Sequence, residues 1–421
     1  MHSENNLPEN FCVLPWVGVH TRNDPVITPC CDYSKTPDIY EGHSVKEYQN
    51  SDSLKTIKEQ FLKGEWPTGC WKCKEREERT GFSLRIQDMK NYKGHAGKEE
   101  LYLEDFTISK DDKYFKLNLG LSNICNLGCV MCVPSNSSFF WEEKTKYDPH
   151  HFFDRSSYGR VHQGKIKDIV ENPIPKKITE KNPHLNHYTK EDINDLIDSM
   201  DLNAKPQIQL HGGEPSIMYQ SIYFLQRLEE KNYTDVQIEF NSNFQHYNPK
   251  FFNKLNNFKG GTALVSIDAM GSPGEYIRYP SSWDKVSSNV IRFKNEYGNK
   301  FRVTICPTVQ ILNIFYIDKL IEWTQHHNLV LSLYNSVVTP RYFAMNNLPK
   351  NAKEYLTNKI EKLDLSNLWN AAKDMRQVLL NHLNSEPNTE PEYIVFKLNQ
   401  IDAIRKTNWK KTFPELANYI L

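Results

Sequence analysis

At 421 residues the chain is long enough for two or three domains and at least one sizeable core. Its 38% hydrophobic and 12% aromatic content excludes a disordered chain. The balance of 52 Lys plus Arg against 52 Asp plus Glu excludes a global charge that would favour nucleic acid.

No run of about 18 apolar residues occurs, so no membrane partner is expected. The first ten residues are polar and lack the apolar stretch of a signal peptide, which makes the cytoplasm the expected location. Residues 165–181 carry several lysines, and they alone favour a nucleic-acid partner; a solvated loop is the plainer reading. Nine cysteines, an odd number without a secretion signal, argue against a disulfide framework. Clustered thiols in a reducing compartment point instead to zinc or iron–sulfur.

Residues 1–95 are rich in cysteine and turn residues, with one helix predicted over 53–62. Here Phe11-Cys12-Val-Leu-Pro15-Trp16, Pro29-Cys30-Cys31 and Gly69-Cys70-Trp-Lys-Cys73 set out a four-thiol constellation of Cys12, Cys30, Cys70 and Cys73. Such a set suits tetrahedral zinc or a fully ligated [4Fe–4S] cluster, and spacing alone does not choose between them.

Residues 110–340 alternate short β-rich runs with amphipathic stretches. Strands are predicted at 115–121, 207–210, 236–240, 263–267, 302–308 and 330–333, each read as buried on both faces. Helices are predicted at 217–231, 283–297 and 316–327. Strand–helix alternation implies a parallel sheet with right-handed crossovers. Six units give an α/β fold, an open, partial (β/α)6 TIM-like barrel, with ligands at the C-terminal strand ends. Residues 147–188 lack periodicity and are broken by prolines, so they read as an insertion. Residues 341–421 read as a helical C-terminal extension, with helices at 352–363 and 365–383 and a tail from 392.

After the first predicted barrel strand comes Cys125-Asn-Leu-Gly-Cys129-Val-Met-Cys132, a C-x3-C-x2-C spacing. Three thiolates on a compact loop can ligate three irons of a cubane and leave the fourth without a protein ligand; a zinc loop is the alternative. His211-Gly212-Gly213-Glu214-Pro215 follows the second strand, Asn241-Ser242-Asn243 the third, and Ser266-Ile267-Asp268 the fourth, with Arg278 ten residues later. Two glycines permit close backbone approach, a carboxylate suits an ammonium, and a guanidinium suits a carboxylate.

These motifs resemble the radical S-adenosylmethionine (SAM) superfamily, whose signature is this cysteine spacing after the first barrel strand, followed by a GGEP motif. The resemblance runs from about residue 11 to residue 350 and includes Glu275-Tyr-Ile-Arg278-Tyr-Pro280 and Leu348-Pro349-Lys350. Met131 stands where many relatives have an aromatic residue. The resemblance implies an enzyme in which a [4Fe–4S] cluster on Cys125, Cys129 and Cys132 passes an electron to SAM. The 5′-deoxyadenosyl radical so formed abstracts hydrogen from a substrate, a peptide or small polar molecule. It also implies SAM contacts at Gly212, Gly213, Glu214, Ser242, Asn243, Ser266, Asp268 and Arg278, and a one-electron reductant of flavodoxin or ferredoxin type.

The N-terminal constellation is similar to a twitch domain, a shortened SPASM domain, which implies a second, auxiliary [4Fe–4S] cluster. Twitch domains usually follow the barrel, whereas this module precedes it, and the Cys30-Cys31 pair leaves the second ligand ambiguous. Cys306, in the fifth predicted strand, reads as a small core residue. Two further functions stay open: a zinc-binding interaction protein on a degenerate barrel, and a nucleic-acid modifying enzyme of the same superfamily.

Overall fold

The computed structural model describes residues 7–80, 83–98, 100–108, 113–146, 182, 188–202, 205–337, 340–368 and 372–421. The expected insertion at 147–188 lies, but for residues 182 and 188, outside these, as does the lysine-bearing stretch 165–181. The chain forms two compact units. The first comprises Met1–Asn123, Pro183–Phe240 and Asn248–Gly261, and the second Ile124–Asn182, Asn241–Tyr247 and Thr262–Leu421. No helix of the described residues is long and apolar enough to cross a membrane.

In the first unit the strands are β1 (Gly18–Thr21), β2 (Ile27–Thr28), β3 (Lys116–Gly120), β4 (Gln207–His211) and β5 (Gln237–Ser242), in the spatial order β2-β1-β3-β4-β5. Neighbours from β1 through β5 run parallel, and only β2 is antiparallel. Parallel neighbours need a crossover, and the helix Tyr219–Glu230 supplies it between β4 and β5.

The register places Leu117 beside Ile208 and Ile208 beside Ile238, then Leu119 beside Leu210 and Leu210 beside Phe240. These side chains are buried, and Phe240 meets Phe251 and Phe252 at ring distances of 5.4 and 6.2 Å. Asn118, Gln209 and Glu239 form the opposite row. The strands therefore have one apolar and one polar face, not the two apolar faces expected. Gln-Ile-Gln-Leu-His and Gln-Ile-Glu-Phe-Asn carry that alternation openly.

The cysteine-rich segment has a core of its own in this unit. Ser51 caps the helix Asp52–Leu62 by accepting the Leu54 N–H at 3.2 Å, and Leu54, Ile57 and Phe61 turn inward. Phe61 meets Phe11 edge-on, and Phe11 stacks on Trp16 at 5.2 Å and tilts against Phe106 at 4.8 Å. Such pairs contribute about 0.5–1.5 kcal/mol each beyond area burial. Strands β1 and β2 were not among the predicted elements. Gly-Val-His-Thr is too short to show a period, and β1 is defined by its pairing with β3 almost a hundred residues later.

The second unit takes in β6 (Gly260–Val265) from Thr262 onward, then β7 (Phe301–Ile305) and β8 (Val330–Leu331) in that order, with β7 and β8 parallel. The helix Trp283–Tyr297 buries Val286, Val290, Phe293 and Tyr297, one face at helical spacing. Residues 365–368, predicted as helix, instead form a turn that ends in a bridge between Leu368 and Leu331 of β8. The Leu331 N–H donates to the Asn367 carbonyl at 3.2 Å, and the Asn367 side-chain amide donates to the Leu329 carbonyl at 3.1 Å. An otherwise bare strand edge takes that segment before the helix Ala372–Asn384 begins. Farther on, Trp409, Phe413 and Leu416 are buried, and Phe413 sits edge-on against Tyr276 at 5.1 Å.

Gly261 has φ +156°, and a Cβ there would lie 1.9 Å from the Ile238 carbonyl oxygen. Backbone can yield little, so Gly261→Ala should destabilise the fold by about 2 kcal/mol or more. A urea midpoint matching wild type would refute this close approach.

Candidate functional site

The loop 125–132 is tied down on several sides within the second unit. The Cys125 N–H donates to Ser138 Oγ, whose hydroxyl donates back to the Cys125 carbonyl, both at 3.1 Å. Ser137 Oγ donates to the Leu127 carbonyl at 2.6 Å and accepts the Phe140 N–H at 3.1 Å, which anchors the loop to the start of the helix Ser138–Lys146. The Gly128 N–H donates to the Tyr279 carbonyl at 2.6 Å, and the Val130 N–H to the Ile277 carbonyl at 2.9 Å.

At the centre, Cys129 is buried and Arg278 Nη1 points at its sulfur from 3.8 Å. Burial pushes the Cys129 thiol up, while Arg278 and then Arg405 draw it down. Arg278 Nε lies 2.7 Å from Asp268 Oδ2, within ion-pair reach but off the hydrogen-bond direction. Burial works against the Arg278 charge, yet Asp268, Cys129 and Cys132 around it raise its pKa still further. Asp268 Oδ1 accepts the Thr308 N–H at 2.7 Å; burial pushes this carboxyl up, and Arg278 opposes it. Arg278, read from sequence as a SAM carboxylate contact, is thus also the cation that faces the thiols.

Asn243 Nδ2 donates to Asn126 Oδ1 in the cysteine loop at 2.8 Å, and Asn243 Oδ1 accepts the Gln245 N–H at 2.9 Å. Ser242 Oγ accepts the Phe244 N–H, and the Ser266 N–H donates to the Ser242 carbonyl at 2.9 Å. So Cys129, Arg278 and Asp268 come together, and Asn243 joins the loop through Asn126. Asn126 had not been singled out in the sequence. Cys306, just past β7, is half-buried, and its Sγ contacts the Thr304 carbonyl at 3.5 Å.

In the first unit, Gly212 adopts φ +115°, and a Cβ there would lie 2.6 Å from Asn23 Oδ1. The Gly213 N–H donates to the Ser122 carbonyl at 3.1 Å. Glu214 is buried, with Oε1 accepting the Ser216 hydroxyl at 2.6 Å and the Ser216 N–H at 3.2 Å.

His20 and His211 lie beside this turn with ring centres 5.1 Å apart. Thr28 Oγ1 donates to the Cys30 carbonyl, so it must accept from His20 Nδ1 at 3.0 Å. His211 Nε2 is buried without a partner, so its ring bond to the Asn118 carbonyl runs through Nδ1–H. Each ring therefore turns an unprotonated Nε2 outward from its own bond. Burial, then His211 and Arg22, hold His20 well below its ordinary value, and burial lowers His211 to about 4. Both are neutral proton acceptors near pH 7.

The N-terminal thiols influence one another electrostatically. Burial pushes Cys30 up, and Cys31, Cys12, Cys70 and Cys73 push in the same direction. Burial raises Cys12 to about 12, and Cys12 and Cys73 add to the burial that raises Cys70. Cys31 is exposed, and its neighbouring charges are Asp32, Lys116 and Asp88. Arg85 donates to the Phe11 carbonyl at 2.7 Å and pairs with Glu77 through Nε at 2.8 Å and Nη2 at 2.5 Å. Its charge lowers Cys12 and Cys70. Among the described residues no three Cys, His, Asp or Glu side chains stand so as to hold a metal ion as they are placed.

No protein-family profile matches the chain, and no curated protein matches it. Among solved structures it is similar to Streptococcus suis SuiB bound to S-adenosylmethionine, at 13% identity over 85% of this chain and 69% of that one, with a TM-score of 0.34. SuiB bound to precursor peptide SuiA gives 12%, 86%, 72% and 0.36 in the same order. The protein anSMEcpe with bound AdoMet gives 17% identity over 58% of each chain and a TM-score of 0.35.

The folded His211 pKa of about 4 lies below its ordinary 6.5, so the unfolded chain takes up this proton first as pH falls. Stability that His211 contributes above pH 6.5 is therefore lost between about 6.5 and about 4, by up to about 1.4 kcal/mol per pH unit. His211→Gln should flatten that part of the acid limb. Urea midpoints of the two proteins that shift in parallel from pH 7 to 4.5 would contradict the assignment.

Proposed function

We propose that this chain is a radical SAM enzyme. The observation that carries this reading is the three-cysteine loop whose central buried thiol faces two arginines, Arg278 and Arg405. Cysteine thiolates are the ligands of iron–sulfur clusters, and cations beside buried thiols favour the thiolate form. The donor set therefore fits a [4Fe–4S] cluster on Cys125, Cys129 and Cys132. When bound, that cluster supplies the electron that splits SAM into methionine and a 5′-deoxyadenosyl radical, the species that abstracts hydrogen from substrate.

The chain's own residues hold and orient. Gly212, Gly213 and Glu214, in the turn after β4, are assigned to the amino end of SAM. Ser242, Asn243, Ser266 and Asp268 are assigned to its remaining polar groups, with Asn243 fixing the cysteine loop through Asn126. Arg278 keeps a positive charge against the thiols and is assigned to the SAM carboxylate, with Asp268 keeping the guanidinium in place. Cys12, Cys30, Cys70 and Cys73 are assigned to a second, auxiliary [4Fe–4S] cluster in a twitch-like module. The mutual influence of these four thiols, with Arg85 acting on Cys12 and Cys70, supports that assignment. Substrate is a peptide or small polar molecule, and the reductant a flavodoxin- or ferredoxin-type protein.

Wild-type protein reconstituted without oxygen should hold about eight irons, two cubanes of four each. Replacing Cys125, Cys129 and Cys132 with Ala should leave about four and abolish 5′-deoxyadenosine formation. Replacing Cys70 and Cys73 should remove the other four and spare SAM cleavage. Iron counting with chromatography of the nucleoside product checks all three, and undiminished cleavage in the triple variant would sink the assignment. Zinc in place of iron after anaerobic, iron-rich expression would refute the auxiliary cluster.

A further inference from the structure

Arg405 closes the helix Pro391–Arg405, and it is buried beneath the cysteine loop. Its Nε and Nη2 form a fork onto Glu143, at 3.0 and 2.8 Å, and Nη2 also donates to the Gly128 carbonyl at 2.5 Å. The guanidinium lies 5.0 Å from the centre of the Tyr279 ring. Tyr279 in turn accepts the Gly128 N–H through its carbonyl. Gly128 is therefore held at both backbone groups, by Tyr279 through its N–H and by Arg405 through its C=O. A Cβ on Gly128 would come within 2.9 Å of Phe139 and 3.2 Å of Arg405 Nη2, so the residue fits flush against both. Glu143 lies on the helix Ser138–Lys146 that Ser137 and Ser138 tie to the loop. The next residue after Gly128 is Cys129.

We propose that Arg405 is a positioning residue for the iron-binding loop: through Gly128 it fixes where Cys129 sits and adds a buried positive charge beside the cluster. The C-terminal segment is then a working part of the radical-generating site. This inference rests on the proposed function, because it takes Cys129 as a cluster ligand. Arginine suits the task because one planar fork serves the carboxylate and the carbonyl together; lysine keeps the charge and loses the fork. Removing Arg405 alone would leave Glu143 buried and unpaired, a strongly destabilising change. The informative variants are therefore the paired Glu143→Gln/Arg405→Gln, which takes both charges out, and Arg405→Lys.

Three measurements on the full chain decide it, with folding checked by circular dichroism. The first is hydrogen–deuterium exchange of residues 125–133 in iron-free protein. The paired variant should exchange there at least about tenfold faster than wild type while β3 and β7 keep their protection. The second is removal of iron by a chelator from reconstituted protein also carrying Cys70→Ala and Cys73→Ala. Loss should be about tenfold faster in the paired variant, and Arg405→Lys should restore part of the difference. The third is the midpoint potential of that cluster by electron paramagnetic resonance. It should shift in the paired variant, because the Arg405–Glu143 dipole beside the loop is gone although no net charge is removed, and stay closer to wild type in Arg405→Lys, which keeps both charges. Unchanged loop exchange and chelation in a folded paired variant overturns the proposal, as does a potential that moves equally in both variants. A wild-type chain that takes up no iron on Cys125, Cys129 and Cys132, with the loop still loosened in the paired variant, upholds the tether and refutes the functional reading beneath it.

Discussion

Everything around the cysteine loop turns on the cost of burying thiols and the charges set against them. A buried sulfur holds its proton, as Cys129 and Cys30 do under desolvation. A cation lowers that cost, but a buried cation is itself expensive unless a carboxylate accompanies it. The protein meets both demands with the same device in each of its two units. Arg278 faces Cys129 while held by Asp268, and Arg85 influences Cys12 and Cys70 while forked onto Glu77. Neither pair is a surface ion pair of marginal worth. In both units the arginine also reaches a backbone carbonyl or a sulfur, so it fixes position as well as charge.

The parallel strands were legible as short β-rich runs, but their period-2 alternation was passed over in favour of two apolar faces. Gln207 to His211 and Gln237 to Asn241 alternate polar and apolar residues without a break. Trp283–Tyr297 was legible end to end, since its apolar spacing meets turn residues on both sides. Failure came where structure depends on distant partners. Strand β1 exists through its pairing with β3, and residues 365–368 leave the predicted helix where Leu368 bridges Leu331 of β8. The site divided the same way. The cysteines and the glycine turn announce themselves by spacing, while Arg405 and Glu143 sit 262 residues apart with no local signal at all. Sequence periodicity reports local backbone state, and a long-range ion pair leaves no trace in it.

The order of segments along the chain matters less than where their contacts end. The cysteine module precedes the region that bears the glycine turn, yet the first unit joins the two through continuous contacts. From the Cys30 carbonyl, Thr28 Oγ1 leads to His20, and His20 leads to His211 by ring contact. His211 is the residue before Gly212, and Asn23, two residues past β1, fills the space that a side chain on Gly120 or Gly212 would need. The module thus contributes a strand, a histidine and an asparagine to the turn as well as its thiols. A module appended after the barrel would need another route to that turn; one placed before it reaches the turn by adding β1 directly beside β3. Glycine at 212 is required twice over, by its positive φ and by the Asn23 amide packed against it. The glycine turn that the sequence singles out is therefore also the seat of an N-terminal residue, and the two glycine positions, 120 and 212, both make room for Asn23 in the assembly of the unit.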